Sequence, residues 1–209
     1  VYMVGFSWAY QSLDAGLGAL ILFGALQMMM FGWAVFRGEF VPALRWVGAV
    51  FSLVGLVVLL WPSEKVIVSP VGAVAMIAAA AGWAFYTILG QETHNSLAVS
   101  AGNFLFCFPL VALSLVFADG GQLTFAGVTM AIVAGGITSG MGYALWYHVL
   151  PALSTTVAAV AQLSVPIIAV LAGVIFLAEP VSIRLFLASA LVLGGIAVSN
   201  VRWAPSDSR

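Results

Sequence analysis

The run Ala15-Gly-Leu-Gly-Ala-Leu-Ile-Leu-Phe-Gly-Ala-Leu-Gln-Met-Met-Met-Phe-Gly-Trp-Ala-Val-Phe36 carries no charged side chain and is closed by Arg37-Gly-Glu39. At 1.5 Å of rise per residue a helix of this length covers about 33 Å, enough to cross a hydrocarbon core about 30 Å thick. A lipid-facing backbone cannot leave its amides unpaired, so such a run must be helical, and it lacks the polar–apolar alternation of a barrel strand. Working outward, the same pattern recurs along the chain. Hydrophobic residues make up 64% of the 209 positions and charged residues 6%, with a mean hydropathy of +1.18, which excludes water as the main solvent.

Charge marks the joints. Arg37, Arg45, Lys65, Arg184, Arg202 and Arg209 fall between or beyond apolar runs, as do Glu39, Glu64, Asp119, Glu179 and Asp207. A charge at mid-bilayer costs about 2.5–3.5 kcal/mol on insertion scales, which accounts for this placement without a functional role. The resulting spans are 15–36, 43–61, 70–90, 101–118, 125–148, 153–177 and 182–203, with Pro42, Pro62, Pro70, Pro151 and Pro180 at their borders. The expected fold class is all-α, a polytopic helical membrane protein with seven complete spans. Residues 1–13 cover only about 20 Å as a helix and read as the end of a longer one. Val1 opens straight into an apolar stretch with no basic leader, so the chain is expected to be a fragment that does not transport alone.

Alternating spans put Arg37, Arg45, Arg202 and Arg209 on one side against Lys65 and Arg184 on the other, so the first side, with the C-terminus, is expected to be cytoplasmic. Trp33, Trp46, Trp61 and Trp203 near span ends suit the headgroup layer. Cys107 is the sole cysteine, which excludes an internal disulfide. Two histidines are too few for a metal cluster, and neither a metal nor a cofactor is expected. The formal net charge of −1 selects no partner.

The chain also repeats itself. Laying Glu39 on Glu179, a shift of 140 residues, aligns 17–36 with 157–176, and then Phe36 meets Phe176, Val41 meets Val181 and Gly55 meets Gly195. An odd number of spans separates the two copies, so equivalent helices cross the membrane in opposite senses, the inverted-topology arrangement of many secondary transporters. Completing that symmetry calls for five helices in the first half, of which two and the tail of a third are present.

These features resemble the drug/metabolite transporter superfamily, specifically its ten-helix bacterial members, the EamA-like transporters. The resemblance is carried by Gly142-Tyr-Ala-Leu-Trp-Tyr-His-Val-Leu-Pro-Ala-Leu-Ser154, Ala158-Ala-Val-Ala-Gln-Leu-Ser-Val-Pro-Ile-Ile-Ala169 and Phe176-Leu-Ala-Glu-Pro180, which look like the family's eighth and ninth helices. Gly18-Ala-Leu-Ile-Leu-Phe-Gly-Ala-Leu-Gln-Met-Met29 with Arg37-Gly-Glu39 looks like the fourth, Gly82-Trp-Ala-Phe-Tyr86 belongs with the sixth, and Gly194-Gly-Ile196 with the tenth. Leu17 departs from the small or hydroxylated residue expected between Gly16 and Gly18. The resemblance implies that 1–61 is the remainder of a first repeat (the end of helix 3, then helices 4 and 5), 70–203 a second repeat (helices 6 to 10) and 204–209 a polar tail. It further implies a bacterial inner-membrane transporter of small metabolites, with amino acids or related polar solutes and export as the default. The expected partners are the lipid bilayer and a small-molecule substrate, with no nucleic acid; pairing into a homodimer is left open.

A polar solute at mid-membrane must exchange water for amides, hydroxyls and aromatic edges when no charge is available. Gln162 is the foremost candidate: Pro166, four residues on, has no N–H for the Gln162 carbonyl, so backbone oxygen and side-chain amide are expected at one helix level. A kinked helix with Gln162 bonded to a neighbour is the competing reading. Trp83, Tyr86 and Gly90 repeat at helical spacing, as do Ser139, Tyr143 and Trp146, giving two aromatic stripes that either wall a cavity or pack. Asn103 and Gln27 are lesser candidates, more simply read as hydrogen bonds between helices. His148 falls where its span ends, which suits an interfacial position. Gly48, Ser52 and Gly55 read as a packing face. No catalytic residue is expected: Ser139 would need a base, and His148 lies more than two turns away. Seven helices alone would also suit a receptor or assembly scaffold, against which the inverted repeat argues.

Overall fold

The computed structural model describes residues 2–62, 69–115, 124–177 and 182–201, and all of its regular structure is helical. In chain order the elements are α1 (Tyr2–Ala9), α2 (Ala15–Phe36), α3 (Ala43–Leu60), α4 (Pro70–Gln91), α5 (Ser96–Leu115) and α6 (Phe125–Ile132). A π-helix (Val133–Met141), α7 (Gly142–Val149), a 3-10 turn (Leu150–Ala152), α8 (Thr155–Ala161), α9 (Ser164–Leu177) and α10 (Ile183–Ser199) follow. Glu64, Lys65, Asp119, Glu179, Pro180, Val181, Arg202, Trp203, Asp207 and Arg209, with the tail 204–209, lie outside the described residues.

Among the described residues, six helical runs are long and apolar enough to cross a membrane, and α10 is shorter at 17 residues. The first span, α2, matches its expected bounds, because Asp14 and Arg37-Gly-Glu39 punctuate it on both sides. Three others differ. The fifth helix begins at Ser96 rather than 101, since Asn95 Oδ1 accepts from the Ala98 N–H at 3.1 Å and starts the helix earlier. Residues 125–149 form one run with a π segment in its middle. Residues 153–177 break into α8 and α9 at Gln162–Leu163 rather than bending at Pro166. The expectation that Pro166 leaves the Gln162 carbonyl free is corrected by the same geometry. With no N–H at Pro166, the chain tightens, and Val165 N–H reaches the Gln162 oxygen at 3.1 Å.

The described chain divides into two units, 1–86 with 154–209, and 87–153. In the first unit the core joins Leu56 of α3, Leu163, Ile167 of α9, and Ala188 and Val192 of α10, all at most 1% exposed. Here α3 and α10 cross closely. A Cβ on Gly48 would strike Gly195 O and come within 2.8 Å of Ser199, and one on Gly55 would come within 2.8 Å of Leu191 and Val192 and 3.0 Å of Ala188 O. Ser52 Oγ donates to Val192 O at 3.1 Å. Partner numbers fall as α3 numbers rise, so the two helices run antiparallel.

Under the 140-residue shift Gly48 corresponds to Ala188, Ser52 to Val192 and Gly55 to Gly195. Gly48 meets the mate of Gly55, Gly55 meets the mate of Gly48, and Ser52 bonds to its own mate. That reciprocity is the signature of a two-fold contact, here between two halves of one chain, with the axis passing beside Ser52. The helices α2 and α8 run antiparallel as well, with Met30 beside Gln162 and Glu39 beside Thr155, and α8–α9 is the run that the shift relates to α2.

Candidate functional site

In the first unit the helix break places the Gln162 side chain, 5% exposed, among α2, α4 and α8. Its Oε1 accepts a short hydrogen bond from the indole Nε1 of Trp83. Its Nε2 donates to Ala158 O at 3.1 Å and leans on Met30 Sδ at 3.6 Å. A buried amide leaves little of its hydrogen-bonding capacity unspent, and this one holds three elements together. Trp83 stacks on Tyr86, with ring centroids 5.2 Å apart and planes 20° from parallel, and meets Tyr2 of α1 at 4.9 Å and 41°. Three of the expected site residues, Gln162, Trp83 and Tyr86, are thus brought together. Tyr2 is a member that sequence reasoning missed; its spacing to Phe6 of α1 and to Tyr10 just beyond it, whose rings also pair, was the available signal.

Asn103, Tyr143 and Trp146 belong to the second unit. Asn103 Nδ2 donates to the Tyr147 hydroxyl at 3.4 Å, Tyr143 lies 5.6 Å from the Phe104 ring, and the Tyr147 carbonyl accepts from Ser96 Oγ at 3.1 Å. Tyr147, only 2% exposed and absent from the sequence-based candidates, is therefore the hub of α5 against α7. The Trp146 Nε1 is buried with no hydrogen-bond partner among the described residues, a donor open to an acceptor. Gly90 is a packing glycine: a Cβ there would lie 3.1 Å from the Tyr147 ring.

Gln27, 6% exposed on α2, has an Oε1 without a hydrogen-bond partner among the described residues, so the interhelical bond expected of that oxygen is not made. His148 is exposed in the last turn of α7. Described charges at Asp14, Arg37, Glu39, Arg45, Glu92 and Arg184 all sit at helix ends or in joints. The described helix interiors offer a ligand neutral groups, among them amides, hydroxyls, indoles, phenols and the Cys107 thiol. Among the described residues no group of three or more His, Cys, Asp or Glu could hold a metal ion.

Antiparallel repeat-related helices, apolar outer faces and a broken helix with a buried amide define a multi-pass membrane protein of transporter type. The chain belongs to the EamA-like transporter family, whose pattern it matches over residues 70–201. It is 44% identical over 201 residues to the uncharacterized protein PA1977 of Pseudomonas aeruginosa, covering 95% of this chain and 69% of that one. An uncharacterized transporter of Archaeoglobus fulgidus is 29% identical over 206 residues, with 95% and 72% coverage. A protein of known crystal structure shares the fold at a TM-score of 0.82 and 23% identity, covering 95% of this chain and 72% of that one.

Proposed function

We propose that this protein moves small metabolites, amino acids or related polar solutes, out of the cell by alternating access, and that Gln162 contacts the solute. The observation that carries this reading is the interruption of α8–α9 at Gln162, which sets a buried amide and the Trp83–Tyr86 aromatic pair at one level of a discontinuous helix. Solute and Trp83 would compete for the Gln162 oxygen, so binding exchanges one hydrogen bond for another instead of exposing an orphan. Asn103, Tyr143 and Trp146 are proposed contacts in the second unit, where the Trp146 N–H is open to an acceptor such as a carboxylate. The repeats are proposed as 1–61 and 70–203, in the bacterial inner membrane with the C-terminus in the cytoplasm. A packing role for Gln162 is the second reading, favoured by its bonds to Trp83 and Ala158.

The test is counterflow of labelled amino acids in proteoliposomes, comparing the full-length transporter with its Gln162→Leu variant at matched abundance. Loss of the amide contacts should cost about 0.5–1.5 kcal/mol, a few-fold to about tenfold in affinity. Flux with unchanged affinity in Gln162→Leu assigns the residue to packing. Absence of flux for every solute in the full-length transporter would favour a receptor or scaffold.

A further inference from the structure

We propose that Glu39 and Arg45, with Thr155 and Thr156, form a latch that ties the start of α8 to the end of α2 and the start of α3, and that its release is the positioning step that opens that end. Thr155 Oγ1 donates to Glu39 Oε1 at 2.8 Å, and Arg45 Nη1 donates to Thr156 Oγ1 at 3.1 Å. The two threonines are 3% and 0% exposed, whereas Glu39 is exposed and Arg45 half-buried, so each bond ties a sheltered hydroxyl to a charge reaching in from the joint. Hydrogen bonds to charged groups are roughly twice as strong as neutral ones.

The local sequence aims the carboxylate. Gly38, at φ 74°, ends α2 in the left-handed conformation, with Gly38 N–H to Val35 O at 3.0 Å and Glu39 N–H to Ala34 O at 2.9 Å, a Schellman closure that turns Glu39 back toward α8. A Cβ on Gly38 would meet nothing within 4 Å among the described residues, so backbone conformation alone calls for glycine there.

The repeat makes the latch one-sided. Shifted by 140 residues, Thr155 and Thr156 correspond to Ala15 and Gly16, and Arg45 corresponds to Leu185. None of these mates can donate from or accept at a side chain, so the other end cannot reproduce the bonds. At that end a different contact is made, with Arg184 Nη1 donating to Trp61 O at 3.0 Å. In a protein whose halves otherwise mirror each other, the latch biases which end is closed; assignment of the latched end to the cytoplasm rests on the proposed orientation.

The experiment uses a single-cysteine protein, Cys107→Ala with Ala158→Cys as reporter one turn inside the latch, in sided membrane vesicles treated with an impermeant maleimide. Thr155→Val with Thr156→Val removes both hydroxyls while keeping side-chain volume. The expected result is labelling about tenfold faster from the latched face and no faster from the other, from the strength of charged hydrogen bonds. Thr155→Ser with Thr156→Ser should restore the native rate, and Gly38→Ala should imitate the valine pair while Gly38→Asn does so less. Unchanged rates on both faces, or faster labelling from both faces alike, overturn the proposal and leave the threonines as packing. The rate is read without any solute, so a one-sided increase supports the latch even if no solute flux is found, and failure of the transport reading remains distinguishable.

Discussion

Two adjacent glycines of α10 face different fates. A Cβ on Gly195 would collide with Ser52 Oγ and Gly48 O and come within 2.8 Å of Ser52 N, whereas a Cβ on Gly194 would meet nothing within 4 Å among the described residues. Both substitutions to alanine gain the same helix propensity, about 0.8–1 kcal/mol, so it cancels in the comparison. Gly195→Ala alone forces α10 away from α3, where overpacking costs about 1–3 kcal/mol, and displaces the Ser52–Val192 hydrogen bond, about 0.5–1.5 kcal/mol more. Gly195→Ala should therefore be less stable than Gly194→Ala by about 1.5–4.5 kcal/mol. Equilibrium unfolding by SDS titration in mixed micelles, followed by circular dichroism, reads this difference. Gly48→Ala and Gly55→Ala should resemble Gly195→Ala, and Gly48→Ala with Gly195→Ala should be non-additive because one displacement relieves both clashes. Equal stability of the two neighbouring alanine variants would refute the two-fold crossing as a close-packed contact.

Three further outcomes follow from the geometry. Gln27→Leu, which removes a buried acceptor lacking a partner among the described residues, should leave stability unchanged or raise it by about 1–3 kcal/mol; a clear loss would show that the amide is bonded in the membrane. Gly135→Ala and Gly136→Ala, at positions where a Cβ meets nothing within 4 Å among the described residues, should each stabilise the helix by about 0.5–1 kcal/mol in the same SDS titration; a loss of stability would show that the π-helix requires glycine there. Cysteines replacing Arg37 and Arg202 should be shielded from an impermeant reagent in intact cells while one replacing Asp119 reacts; the reverse pattern would invert the proposed orientation.

The spans were legible because lipid leaves the backbone one solution and charge had to retreat to the joints. Asp14 and Arg37-Gly-Glu39 fixed α2 at both ends, and the glycine–serine spacing of α3 marked a packing face, though not that α10 would fill it. The early start of α5 was written in Asn95, an amide well suited to begin a helix, but the apolar pattern there is weaker and drew the boundary inward. The π-helix at Val133–Met141 was not legible, since Gly135, Gly136 and Gly140 permit it without dictating it. Of the site, Gln162 and Trp83 were each visible as rare polar groups in apolar runs, yet their bond joins residues 79 apart and depends on where the chain breaks.

The position of that break links fold and function. Pro166 was expected to free a carbonyl for solute, but Val165 takes it, and the disruption is passed back to Gln162–Leu163, where the amide side chain emerges. Proline acts here by removing a donor and leaving the chain to redistribute the deficit, so the group set at the break is the Gln162 side chain, bonded to Trp83 and Ala158, and its backbone oxygen is taken by Val165. Replacing Pro166 should therefore matter more than the contacts of its ring suggest. Pro166→Ala restores an N–H, lets Gln162 O return to its i+4 donor and draws α8 and α9 toward one continuous helix. The Gln162 side chain would then turn with the backbone and loosen from Trp83, which Trp83 fluorescence, isolated by replacing the other tryptophans with phenylalanine, would register as a shifted emission maximum. An unshifted maximum would show that the break is held by packing against α2 and α4 and not by the missing proline donor.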